Sequence, residues 1–252
     1  VSILDPKSGT VSGVLPCGWL DDGKVHRDFV VREMTGEEED ILAGKGPVVQ
    51  RLNRVISNCL ESLGDHSDPP VINRAVNQLT AVDRMLLMIS IRRASLGDAY
   101  MVKIHCPECK EESTASLDLS QLETKDMPDP STRVFETTLS SGRLVQWHVM
   151  DGRDENWLQS MSKKGQNLLT LAMLSRVDAV DGTVLNRQAN LAEALRHLKV
   201  FRMSERNELR LLFQEQEGSV DTEVEYECPS CAHDFKTELD VGQKTFFFPA
   251  GI

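Results

Sequence analysis

The 252-residue sequence predicts an α+β fold: a helical N-terminal region, a pair of zinc-ribbon-like knuckles on short strands, and an inserted α+β module. Three observations carry this reading. Helix-period apolar patterning fills residues 35–99. Two Cys-x-x-Cys knuckles, Cys106-Pro107-Glu108-Cys109 and Cys228-Pro229-Ser230-Cys231, stand 118 residues apart. Between them a strand pair precedes several helical segments, the order of an α+β unit rather than of an alternating parallel sheet.

The first residues are punctuated by Asp5-Pro6, Ser12-Gly13 and Asp21-Asp22-Gly23 and end in Phe29-Val30-Val31. They predict one or two strands, either an arm on a neighbouring protein or an edge hairpin packed at home. Thr35-Gly36-Glu37-Glu38 has the capping-box form, and its acidic run favours the positive end of a helix. After Gly46-Pro47 a helix is expected from about Val48 to Leu63, stopped by Gly64. A short helix follows at Val71–Gln78 and a mostly buried one at Ala81–Ser95, with Arg92 and Arg93 near its C-terminal end and Gly97 as its stop.

Tyr100–Ile104 and Val224–Tyr226 lead as strands into the two knuckles, and alternating residues lead out. In the module, Arg133–Leu139 and Leu144–Val149 flank Ser140-Ser141-Gly142-Arg143 as a hairpin. Helices are expected at about Asp154–Leu174, Asn186–Leu198 and Ser204–Gln216, with a hydrophilic turn around Asp178–Gly182. The organisation predicted is an arm at 1–34, a helical region at 35–99, a ribbon-like domain from 100–127 and 219–245, a module at 128–218, and an apolar tail at 246–252.

Aligned at their first cysteines, Cys106–Asp118 (CPECKEESTASLD) and Cys228–Asp240 (CPSCAHDFKTELD) share both cysteines, the proline and a terminal Leu-Asp without a gap. The knuckles therefore read as two halves of one site, with Cys106, Cys109, Cys228 and Cys231 as metal ligands. Four thiolates fill the tetrahedral positions that zinc prefers, which makes the expected Zn2+, one per chain, structural and leaves no place for an activated water. His105 and His233 lie alongside as potential substitutes. Cys17 and Cys59 lack such spacing and read as ordinary reduced thiols. Closing a loop of about a hundred residues costs roughly 5 kcal/mol of chain entropy. A structural zinc site, worth about 10–16 kcal/mol in zinc-finger peptides, exceeds that.

Twenty-eight basic against thirty-nine acidic residues give a net charge of −11, and only 5% of residues are aromatic. That balance disfavours nucleic acid as a partner, since phosphate binding needs basic surface and base stacking needs aromatic rings. No apolar run approaches a membrane span, and no signal-peptide pattern opens the sequence. Thiolates destined for zinc fit synthesis in a reducing cytoplasm. Nucleotide-binding, metalloprotease and hydrolase motifs are missing. His26, His66, His148 and His197 are scattered, and Asp151, Asp154 and Glu155 beside Trp157 read as charge at a helix start. No catalytic residue and no other cofactor are assigned.

Residues 32–42 (REMTGEEEDIL), preceded by Pro16-Cys17-Gly18-Trp19, resemble the opening of a family of tailed-phage proteins that includes the baseplate hub subunit of T-even phages. Leu79–Arg84, Arg92–Tyr100 and the first knuckle follow in that family's order, so the resemblance covers about residues 15–125, and the second knuckle more loosely. It implies a structural component of the tail baseplate or hub of a contractile phage or phage-like particle, with no catalytic residues to carry over. It also permits, as the first alternative, a nonstructural tail-assembly chaperone, and a nucleic-acid-binding zinc ribbon is the alternative from another class. The partners implied are other tail and baseplate proteins, with further copies of this chain among them, after assembly in the host cytoplasm. Candidate contacts are residues 1–30 and Phe246–Phe248, three consecutive aromatics that cannot all face one core if extended. A tail docked on its own domain is the other reading.

Overall fold

A computed structural model describes residues 9–162, 167–239 and 244–247. It shows the mixed α+β architecture that the sequence predicts, built around two principal hydrophobic cores.

Strands β1 (Thr10–Asp21) and β2 (Lys24–Arg32) form a long antiparallel hairpin. Its two-residue loop places Asp22 at φ 46° and Gly23 at φ 77°, left-handed values that match the twist of the flanking strands. Pairing breaks between Val14 and Trp19, where Gly18 sits at φ 70° and any Cβ would lie 2.7 Å from the His26 carbonyl oxygen. Helix α1 (Gly36–Ala43) begins with the expected capping box: the Glu38 carboxylate accepts from the Thr35 N–H at 2.9 Å, and Thr35 Oγ1 accepts from the Glu37 N–H at 3.3 Å.

Helix α2 (Val48–Cys59) buries Val55, Ile56 and Cys59 but stops four residues short of the expected end. Leu60–Leu63 instead forms β3, pairing with β2 through Phe29 and Leu63. The reason is tertiary: as a strand the segment buries Leu60 and Leu63 while satisfying the free edge of β2. Helices α3 (Pro69–Gln78) and α4 (Ala81–Leu96) complete this layer. The Thr80 side chain caps α4, and Gly97 at φ 82° ends it.

Among the described residues, 9–32 do not form a free arm. Leu15, Cys17, Trp19, Phe29 and Val31 are all buried, and most join the core made with α2, α3 and α4. This corrects the reading of residues 9–30 as an arm lying on a neighbour; residues 1–8 lie outside the described part. The C-terminal candidate is corrected in the same way. Phe246 and Phe247, within the short helix α9 (Lys244–Phe247), are 0% and 8% exposed and belong to that core. Arg92 donates to the Phe246 carbonyl at 2.8 Å and lies over the rings of Phe246 and Tyr100. The helical turn resolves the geometric objection, because its side chains need not alternate as they would in a strand. Phe248 lies outside the described residues.

After α4 come β4 (Ala99–His105) and β5 (Glu112–Asp118), which pair across the first knuckle. Strand β6 (Thr124–Lys125) then leads into the module. Its sheet runs β7 (Val134–Thr138), β8 (Leu144–His148), β9 (Val177–Val180) and β10 (Thr183–Val184), in the order β10-β9-β8-β7. The expected long helix is two pieces, α5 (Gly152–Ser162) and α6 (Leu168–Leu174), and residues 163–166 between them lie outside the described part. The expected turn is present at Asp181-Gly182, with φ 49° and 78°, joining β9 to β10, while Asp178 belongs to β9. The next helix, α7 (Leu191–Lys199), begins later than expected, where Asn190 caps it. Helix α8 (Met203–Gln216) closes the module. Trp147, Leu171, Leu174, Leu198, Leu209 and Phe213 anchor the second core.

Strand β11 (Ser219–Val220) returns to pair with β6, so entry and exit of the module run antiparallel side by side. Strands β12 (Glu223–Glu227) and β13 (Asp234–Glu238) flank the second knuckle.

Candidate metal centre

Each knuckle is a tight reversal between paired strands. In the first, the Cys106 N–H donates to the Glu111 carbonyl at 3.0 Å and the Lys110 N–H to the Cys106 carbonyl at 3.1 Å. In the second, Cys228 donates to His233 at 3.0 Å and Ala232 to Cys228 at 2.8 Å. The residue after each second cysteine, Lys110 at φ 64° or Ala232 at φ 56°, takes the left-handed conformation. The sequence repeat is thus a repeat of backbone geometry down to a strained position, which non-glycine residues occupy at a cost.

The four sulfurs converge. Cys106 Sγ lies 3.7 Å from Cys231 Sγ, Cys109 Sγ lies 3.6 Å from Cys228 Sγ, and all four fall within 4.8 Å of one another. A tetrahedral zinc with bonds of about 2.3 Å sets sulfurs about 3.8 Å apart, so the donor set fits that ion. Cys106 and Cys228 are buried, Cys109 is half-buried and Cys231 is exposed. Burial raises the Cys228 thiol, yet the backbone N–H groups of Ser230 and Cys231 outweigh it and bring the group to about 7. Cys106 is lowered by the equivalent N–H groups of Cys109 and Glu108 against the same opposing burial. The first cysteine of each knuckle is thereby disposed to ionise, and a thiolate is what a metal binds. His105 and His233 are not needed to complete the set. Cys17 and Cys59 are buried apart from it, and burial pushes their thiols up to about 11 and about 12.

A second polar constellation lines a cavity of about 570 Å³ between the N-terminal core and the module. His148 Nδ1 lies 2.8 Å from Asp178 and Nε2 lies 3.1 Å from Asp154. Burial opposes protonation, but the two carboxylates prevail and raise the imidazole to about 9. Both ring nitrogens are occupied, so the group has no free position for proton transfer to a ligand. Asp151 and Asp154 also cap α5: the Asp151 N–H donates to Asp154 and the Arg153 N–H to Asp151. Glu155 instead pairs with Arg84 at 2.5 Å, across the junction. The structure gives this acidic group the helix-start role that the sequence suggests, and adds cross-unit pairing.

The T4 bacteriophage base plate protein family model matches residues 20–248. The chain belongs to this family. Membership gives the protein a virion tail location and other tail and baseplate proteins as its associates. No curated protein and no solved structure matches the chain significantly. Among the described residues no helix is long and apolar enough to cross a membrane.

The match runs through the whole module, whereas the residue motifs trace the family to about residue 125 and, more loosely, at the second knuckle. What the sequence does not reveal in this baseplate protein is the clamp joining its two cores. Arg133 donates to the Cys17 and Gly18 carbonyls at 2.9 and 2.8 Å, while the fully buried Asp83 accepts from the Cys17 N–H at 2.9 Å and from Thr80 Oγ1 at 3.0 Å. Burial raises the Asp83 carboxyl against these bonds. The only sequence signal is a pair of charges in apolar surroundings, Asp83 in a buried helix and Arg133 at a strand start, and their partners lie 66 and 116 residues away.

Proposed function

We propose that the protein is a non-catalytic structural component of the tail baseplate or hub of a contractile phage or phage-like particle, with one structural zinc held by Cys106, Cys109, Cys228 and Cys231. The convergence of four thiols from two mirrored knuckles within 4.8 Å, in a baseplate-family chain, carries this reading. A closed four-thiolate set would leave the metal no open coordination position, so its contribution is folding free energy. The ion would join hairpins on either side of the module and so fix the module's two ends. A net charge of −11 argues against nucleic acid as the ligand of the ribbon pair.

Metal analysis of protein purified without affinity tags should give one zinc per chain. Cys109→Ser and Cys231→Ser should each lower metal retention and melting temperature; full occupancy with unchanged melting in both would sink the shared site. Mass spectrometry of purified particles should find the chain, and its consistent absence would favour the assembly-chaperone role.

A further inference from the structure

Two close approaches in the thiol cluster each pair a sulfur of one knuckle with a sulfur of the other: Cys106 with Cys231 at 3.7 Å, and Cys109 with Cys228 at 3.6 Å. They are one contact seen twice. Exchanging the knuckles in the sequence repeat sends Cys106 to Cys228 and Cys109 to Cys231, which turns the first pair into the second. Each pair also joins a buried sulfur to a reachable one, since Cys106 and Cys228 are buried, Cys231 is exposed and Cys109 is half-buried.

A bridge inside a knuckle is the competing arrangement. It would prevail in an unfolded chain, because a four-residue loop closes far more readily than one whose ends stand 119 or 125 residues apart. The fold reverses that order. Paired strands fix the backbone on both sides of each turn, and the Cys106 sulfur accepts from the N–H groups of Cys109 and Glu108 as the Cys228 sulfur does from those of Ser230 and Cys231. The side chains of both turns already reach the opposite knuckle. Closing either cross-knuckle pair to a disulfide length of about 2.05 Å takes about 1.6 Å of approach.

We propose, on the basis of the shared thiol cluster described above, that oxidation converts it into two cross-knuckle disulfides, Cys106–Cys231 and Cys109–Cys228, which keep the module's ends joined after the metal has left. With a peroxide as oxidant, the exposed Cys231 thiolate attacks a peroxide oxygen, becoming a sulfenic acid and releasing hydroxide. The Cys106 thiolate then attacks the Cys231 sulfur, the S–S bond forms and a second hydroxide leaves. The other pair reacts likewise from Cys109, so two peroxides take four electrons from the four thiolates and the bound dication is set free. Both bridges span the module, whereas bridges within the knuckles would release it. A virion protein works outside the cell that made it, where thiols are not kept reduced. Cys17 and Cys59, both 0% exposed, are sheltered from the same oxidant.

The test treats the full-length, metal-loaded chain with a small excess of hydrogen peroxide, reads released zinc with a chromogenic chelator, and maps bridges by mass spectrometry after alkylation and digestion without reductant. One metal ion should leave for every two bridges, and the peptides recovered should join Cys106 to Cys231 and Cys109 to Cys228, with Cys17 and Cys59 still reduced. The oxidised chain should melt above the chelator-stripped, reduced chain and fall to its melting temperature on adding reductant. Bridges Cys106–Cys109 and Cys228–Cys231, bridges between molecules, sulfinic acids in place of bridges, or melting no higher than the stripped chain would each overturn the proposal while leaving a measured zinc content standing. Cross-knuckle bridges in a chain that held no zinc beforehand would support it and count only against the metal assignment.

Discussion

His148 shows what one side chain contributes when both ring nitrogens are held. Its imidazole rises from 6.5 to about 9 because Asp154 and Asp178 favour the charged form more than burial opposes it. The folded protein therefore binds the proton more tightly than the unfolded chain. The stabilisation is fully present below about pH 6.5 and is lost as pH rises through about 9, roughly 3 kcal/mol in all. Chemical denaturation across that range should show the slope, and His148→Gln should flatten it; an unchanged slope would remove His148 as its source. His26 carries the opposite sign. Burial, His66 and Lys24 lower it, so it destabilises as pH falls below the ordinary histidine value. Neither behaviour is visible in the sequence, where both are scattered histidines, because the shifts come from carboxylates, rings and burial that only folding supplies.

Among the elements, those specified locally are legible in the sequence. The Thr35 capping box, the strands around the two knuckles and the β7–β8 hairpin all depend on residues within a few positions of one another. The differences fall where distant chain decides. Leu60–Leu63 continues a helical apolar pattern yet becomes β3, because β2 offers it a partner. The two-residue strands β6, β10 and β11 are too short for periodicity to reveal. The N-terminal strands are foreseeable but their docking is not, since nothing local says that Asp83 and Arg133 will grip the β1 irregularity. Gly18 at its centre is the sensitive point. With φ at 70° and the His26 carbonyl oxygen 2.7 Å from where an alanine Cβ would stand, Gly18→Ala should cost about 1–3 kcal/mol. Equilibrium unfolding measures this directly, and wild-type stability would show that the bulge relaxes freely.

At the scale of the whole molecule, the two cores have different dependence on the thiol cluster. The first includes Tyr100, Leu119, Val220 and Leu239 from the ribbon region, whereas the second is composed within the module. Chelation should therefore lower the stability of the first core and leave the second nearly intact. Calorimetry should resolve a metal-dependent transition at lower temperature from a metal-independent one. A single transition shifted as a unit would mean that the Asp83–Arg133 clamp couples the cores more strongly than the metal divides them. The four cysteines are fully legible in the sequence because their spacing and repeat are local; the membership of the second core is not, because it rests on which side chains meet.

The pairing of β6 with β11 has a consequence for how such a chain can change over generations. Because the two strands enter and leave the module side by side, the polypeptide between them can lengthen, shorten or be replaced without displacing the knuckles. The ribbon sees only two neighbouring attachment points. The size and surface of that segment can therefore change over the same base, provided that the Arg133 and Glu155 contacts to the first core are kept.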